Sequence, residues 1–254
     1  MAFTIAVSGK GGVGKTTLAA LMVRYIAREL GRAVLAVDAD PNASLGVVLG
    51  LDVPATVADI RDDVVEKRVE LSAGMSKERE IEYRIQQSVL EATGFDLLTM
   101  GRPEGPKCYC YVNNLLRKYL DQAAQDYPFV VVDNEAGMEH LSRRTTNNVD
   151  LLLIVTEPTT VGVATAQRIW KLAEELPILV RKKETAFNRV PPQGVAAAIG
   201  ERMAQMGLTA AVQFGWDDEI YQAASSGKSL LDLPDTNATY RKVVQFLRER
   251  LNTK

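Results

Sequence analysis

Gly9-Lys10-Gly11-Gly12-Val13-Gly14-Lys15-Thr16 fits the G-x-x-x-x-G-K-[ST] phosphate loop. It follows a β-branched run at residues 3–8 and opens a helical pattern at residues 16–30, the strand-to-helix setting that the motif requires. The glycines let backbone N–H groups approach phosphate oxygens, and the helix N-terminus adds its positive dipole end. Lys15 is placed to reach the β and γ phosphates and the Thr16 hydroxyl to ligate magnesium. With Thr17 following, residues Gly9 through Thr17 form the expected phosphate-binding segment for ATP or ADP.

Outward from the loop, short apolar runs at residues 33–38, 95–100, 129–133 and 151–156 alternate with longer helical stretches, the rhythm of a parallel sheet. Further strands are expected at 184–190 and 210–215, and helices at 112–125, 163–176, 192–206 and 239–251. Near-continuous apolar strands such as Val130-Val131-Val132 suit a sheet covered on both faces. The expected fold is therefore α/β, one P-loop NTPase domain over residues 1–254 with a mainly parallel twisted sheet and helices on both faces. Residues 56–92 are charge-rich and helical in pattern, and read as an insertion on the solvent side.

The chain has 254 residues, 46% hydrophobic and 24% charged, enough for a sizeable core. A formal net charge of −2 gives no electrostatic footprint for nucleic acid or an anionic membrane, and the run Arg181-Lys182-Lys183 reads as solvated surface. The apolar stretch at 151–155 is far shorter than the roughly 20 residues of a membrane helix. No targeting segment is read ahead of the first strand, so a cytoplasmic location is expected.

Two carboxylate motifs stand at strand ends, where open α/β sheets bind ligands: Asp38-Ala39-Asp40-Pro41, and Asp133-Asn134-Glu135-Ala136-Gly137. Lys10, immediately after the first glycine of the loop, comes too early to do the work of Lys15. Here the sequence resembles the deviant Walker A family that contains the nitrogenase iron protein, the septum-positioning and partitioning ATPases, and the arsenite and tail-anchor ATPases. The resemblance implies that Lys10 crosses a homodimer interface to the partner's nucleotide, as an arginine finger does elsewhere. It implies that Asp40 positions the attacking water and touches magnesium's water shell, that Asp133 holds a magnesium-bound water, and that the Gly137 N–H meets the γ-phosphate. Lys10, Lys15 and Asp40 are then the catalytic set. Asn188-Arg189 matches the family's adenine reader, and Phe214-Gly215-Trp216-Asp217-Asp218 resembles its second base-side loop, with Gly215 where a proline is usual.

Cys108-Tyr109-Cys110 holds both cysteines of the chain. In an extended segment residues two apart point to one side, so the two thiols converge on one ion. Thiolate sites want about four ligands, and a two-fold dimer supplies the second pair. Cys108-Tyr109-Cys110 with Asn113, and Glu135-Ala136-Gly137-Met138-Glu139-His140-Leu141, narrow the resemblance to the CooC-type maturation ATPases, nickel-insertion factors for carbon monoxide dehydrogenase or acetyl-CoA synthase. That resemblance implies nickel as cargo and an apo form of either enzyme as client; thiolate chemistry alone suits zinc or copper(I) equally. His140 reads as a packing neighbour. The rival readings are an ATP-dependent reductase bridged by an iron-sulfur cluster and a positioning ATPase of the MinD/ParA kind. The stripe Val243, Val244, Leu247 and Leu251 is expected to pack on the sheet, not to meet a membrane.

Overall fold

The structure, a computed structural model, describes residues 2–65, 76–102, 118, 126–136 and 148–251. Strand β1 (Phe3–Gly9) delivers the phosphate loop into helix α1 (Lys15–Arg24), which runs on as one π-helical turn (Tyr25–Glu29). Next come β2 (Val34–Ala39), α2 (Ser44–Leu49), α3 (Val57–Val65), α4 (Lys77–Gln87), β3 (Leu90–Ala92) and β4 (Phe95–Thr99). The remainder is β5 (Phe129–Ala136), β6 (Asn148–Thr156), α5 (Thr160–Glu175), β7 (Leu179–Val190), α6 (Ala197–Gln205), β8 (Ala210–Gly215), α7 (Asp218–Ser226), a 3-10 turn (Leu230–Asp232) and α8 (Ala238–Leu251).

One eight-stranded sheet runs in the order β3-β4-β2-β5-β1-β6-β7-β8. Every pairing is parallel except β3 with β4, joined by a two-residue turn at Thr93-Gly94 in which Gly94 takes a positive φ. Strand β1 lies between β5 and β6, so the phosphate loop leaves the centre of the sheet, with β2 one strand further out. The loop and both carboxylate motifs thus emerge side by side at the C-terminal ends of neighbouring strands.

Because side chains alternate along a strand, the central strands feed two cores. Ile5, Val7, Ala36, Val131 and Leu153 face one side, under α1, α2 and α8, where Leu18, Met22, Leu45, Val243 and Leu247 are buried. Ala6, Leu35, Val37, Val132 and Ile154 face the other, under α4, α5 and α6. The expected two-sided sheet is what forms, and the stripe on α8 packs into the first core.

Three expectations need correction. In the described parts of the segment expected as a solvent-side insertion, 56–65 and 76–92, the apolar side chains pack inward: Val57, Ile60, Ile81 and Ile85 share a core with Leu35, Val37, Leu98 and Met100, and the segment ends in β3. The density of charged residues hid an apolar stripe at helical spacing. The helix expected from residue 192 begins at Ala197, because Pro191-Pro192-Gln193-Gly194 closes a turn in which the Gly194 N–H donates to the Pro191 carbonyl at 2.8 Å. Strand β7 starts at Leu179 and takes in the charged run; Arg181 pairs with Asp150, Lys182 with Glu184 and Lys183 with Glu174. The helix expected at 112–125 lies outside the described residues except for Lys118.

Candidate nucleotide site

The loop conformation is dictated by what surrounds two glycines. A side chain on Gly9 would put its Cβ 2.2 Å from the Val155 carbonyl oxygen, and one on Gly14, at φ 92°, would lie 2.4 Å from the Asn188 amide nitrogen. Gly14 also begins α1 with no side-chain cap, leaving first-turn N–H groups available to an anion. Lys15 is nearly buried, and its ammonium donates to the Lys10 carbonyl at 3.2 Å, folding the loop around it. Burial lowers the Lys15 pKa, opposed by the charges of Asp133, Asp40 and Glu135. Gly11, Gly12 and Lys10 are exposed, Val13 is buried, and Thr16 and Thr17 are half-buried. The Lys10 side chain is therefore free to reach outward.

Asp38, Asp40 and Asp133 divide three tasks. Asp38 and Asp133 stand opposite each other in the β2–β5 register. Asp38 accepts the Leu45 N–H at 2.7 Å and the Asp40 N–H at 3.2 Å, capping the start of α2 and shaping the turn before it. Burial still pushes its carboxyl up to about 6. Asp40, half-buried, accepts the Asn42 backbone and side-chain N–H groups on a single oxygen, at 2.9 and 2.8 Å, which leaves its other oxygen for the cleft.

Asp133 is fully buried, and among the described residues neither of its oxygens has a geometric hydrogen-bond partner. Burial pushes it up to about 7, against the nearby Thr16 hydroxyl and the Lys15 charge. A buried acceptor pair without donors is costly, and a hydrated divalent cation beside Thr16 would satisfy it. The Thr16 hydroxyl lies 3.4 Å from that of Ser44, a second oxygen donor that sequence reading missed. These residues fit magnesium.

On the base side, the Asn188 amide donates to the Val13 carbonyl at 2.7 Å and accepts the Arg189 N–H at 2.9 Å. This fastens the end of β7 to the phosphate loop. Arg189 adopts a left-handed conformation (φ 56°) and reaches Glu157 at 3.3 Å. A cavity of about 160 Å³ opens here, lined among others by Gly14, Thr17, Asn188, Arg189 and Gly215. Its far wall is fixed by Asp217, which accepts the Ile220 N–H at 3.0 Å and the Thr239 hydroxyl at 2.7 Å, bracing α7 against α8. Burial pushes the Asp217 carboxyl up, but the hydrogen bonds from Thr239, Ile220 and Asn237 outweigh it and hold it below its ordinary value.

The structure brings Asp40 and Asp133 within charge-interaction range of Lys15 in the phosphate loop and sets Gly14, Thr17, Asn188 and Arg189 around the adjoining base-side cavity. Cys108, Cys110, Asn113, Gly137 and His140 lie outside the described residues. Among the described residues, no helix is long and apolar enough to cross a membrane.

Residues 4–230 match the CobQ/CobB/MinD/ParA nucleotide binding domain. The chain is 41% identical over 252 residues to an uncharacterized ATP-binding protein, MJ0685, of Methanocaldococcus jannaschii, covering 98% of this chain and 99% of that protein. It is 32% identical over 243 residues to the carbon monoxide dehydrogenase accessory protein CooC of Rhodospirillum rubrum, covering 90% of this chain and 89% of the other. Among solved structures, a ParA family ATPase from Chlorobium tepidum superimposes with a TM-score of 0.73 at 21% identity, over 96% of this chain and 97% of that one. That last likeness speaks for the fold alone.

Proposed function

The chain belongs to the CobQ/CobB/MinD/ParA family and is a P-loop ATPase, and from that premise we propose that ATP drives it as a homodimeric factor delivering nickel to apo carbon monoxide dehydrogenase or acetyl-CoA synthase. The observation that carries this reading is the pair Cys108 and Cys110, within a chain similar over nine-tenths of its length to a carbon monoxide dehydrogenase accessory protein. Nickel is the cargo of this reaction, with zinc as the competing ion for the same thiolates.

The triphosphate enters against the first turn of α1, with Lys15 on its β and γ oxygens. Lys15 is already desolvated and enclosed by the loop, so little side-chain reorganisation is needed when phosphate displaces the Lys10 carbonyl. Thr16 and Asp133 would hold magnesium, Asp133 and Asp40 through water. When bound, that ion neutralises charge on the β and γ oxygens. Asp40 presents its unshared oxygen to the cleft and orients the attacking water. Asp38 keeps the Asp40 turn in place by binding its N–H. Lys10, exposed at the mouth of the loop, completes the partner's site across the two-fold axis. Closing that interface brings the two cysteine pairs together as a four-thiolate set, so the ATP cycle sets the coordination and exposure of the ion.

Metal analysis of anaerobically purified protein, with and without ATP, tests the reading. One ion per dimer, lost in the Cys108→Ser/Cys110→Ser double variant while ATP binding persists, is the expected result. One ion per monomer, or metal retained without either thiol, would sink it. Visible absorbance from an iron-sulfur cluster would replace it with the reductase.

A further inference from the structure

The cavity beside the phosphate loop has a wall that the hydrogen-bonding residues do not explain. Trp216 and Tyr221 both line it, with ring centroids 5.6 Å apart and planes tilted by 41°. They are 54% and 57% exposed, an adjacent aromatic pair left open to solvent at the mouth of a cleft. The indole is fixed in orientation, because its Nε1–H donates to Asp218 at 2.9 Å and its backbone leads into the Asp217 brace. Ile220 adds an apolar patch between the rings and the loop.

The cavity holds about 160 Å³, well under the roughly 300–1,000 Å³ of a site that encloses a whole drug-sized ligand. It suits one planar ring system whose remainder lies outside, and Gly14 and Thr17 on its near side place that remainder on the phosphate loop. Asn188 has spent one N–H on Val13 and one lone pair on Arg189, so its amide offers at most an edge contact. Gly215, with no side chain, contributes no surface for the faces of a ring.

We propose that Trp216, with Tyr221 as its neighbour, is the platform on which the purine base of the nucleotide stacks. The proposal rests on the base-side reading of Asn188 and Arg189 and is independent of the metal reading. Base-on-aromatic contacts are broad in area and tolerant of base identity, and truncating one weakens binding by about tenfold.

Calorimetric titration with ADP and with tripolyphosphate, which has no base, separates the contributions. Trp216→Ala should weaken ADP about tenfold and Trp216→Phe should recover most of that loss. Tripolyphosphate binding should be unchanged in both. Trp170, the other tryptophan, packs on the opposite face of the sheet. Indole emission should therefore respond to ADP in Trp170→Phe and be silent in Trp216→Phe. Undiminished ADP affinity in Trp216→Ala, or an equal loss for tripolyphosphate, would overturn the proposal. An unsubstituted protein that binds ADP no better than tripolyphosphate would overturn the base-pocket reading itself, and this proposal with it.

Discussion

The duties proposed for the neighbouring groups Asp40 and Lys15 are separable. Lys15→Ala removes the buried cation facing the triphosphate and should abolish measurable ATP binding. Asp40→Asn keeps the Asn42 turn contact but loses the carboxylate proposed to orient water. ATP should still bind with magnesium while turnover falls by about a hundredfold or more; parental turnover in this variant would remove Asp40 from the reaction. Asp133 gives a pH signature. Its folded pKa is raised above the ordinary 3.8 to about 7, so the native state takes up protons that the unfolded chain does not. That contribution to stability is complete below about pH 4 and is lost as pH rises through about 7, with Asp38 adding a similar loss through about 6. The melting temperature of nucleotide-free protein should therefore fall across this range, and Asp133→Asn should flatten the fall. Adding magnesium and ADP near pH 8 should restore stability, because the bound cation reverses the sign of the carboxylate's environment. The grouping of Lys15, Thr16, Asp40 and Asp133 was legible in the sequence because each sits in a short motif at a strand end. The cap that Asp38 supplies to α2 was not, since it joins residues seven apart through a turn with no periodic signal.

Elements were legible where pattern and burial agree. The central strands and α1, α5 and α8 lie close to where their apolar spacing puts them. Strand β3 escaped detection because three residues at a sheet edge carry no period. Helix α2 is six residues long and follows Ala43 in a left-handed conformation, so neither length nor a capping residue announces it. The burial of helices α3 and α4 was misjudged because charged residues crowd both sequences, Asp with one Arg in α3 and Glu, Arg and Lys in α4. If their apolar face is core, Ile81→Ala and Ile85→Ala should each cost about 2–5 kcal/mol in urea unfolding. A solvent-side insertion would lose no more than about 0.5 kcal/mol. Values at that lower level would return residues 56–92 to the surface.

Seen whole, each protomer of the proposed dimer would meet its partner through the phosphate-loop face. Lys10→Ala should leave nucleotide binding by the protomer largely intact while weakening ATP-dependent dimerisation and turnover, which light scattering and phosphate release would report. An unaltered monomer–dimer balance would remove the case for a lysine acting in trans. The thiolate pair and the second-switch glycine, which couple that dimer to cargo in the proposed cycle, are read from sequence alone. A ligand set completed by a symmetry mate leaves half its pattern in the other chain.

The position of β1 has a consequence for how the protein is made. Phe3 pairs with Phe129 on one side and Ile5 with Leu151 on the other, so the strand carrying the phosphate loop waits for partners from the far half of the chain. Such long closures are paid late in folding. A nascent chain arrested before β6 has emerged from the ribosome carries every loop residue from Gly9 to Thr17, yet lacks the Val155 backbone against which Gly9 closes. It should bind no ATP, and affinity should appear abruptly once β6 and β7 are free to pair. Nucleotide thus acts as a ligand of the finished sheet and cannot chaperone its early assembly.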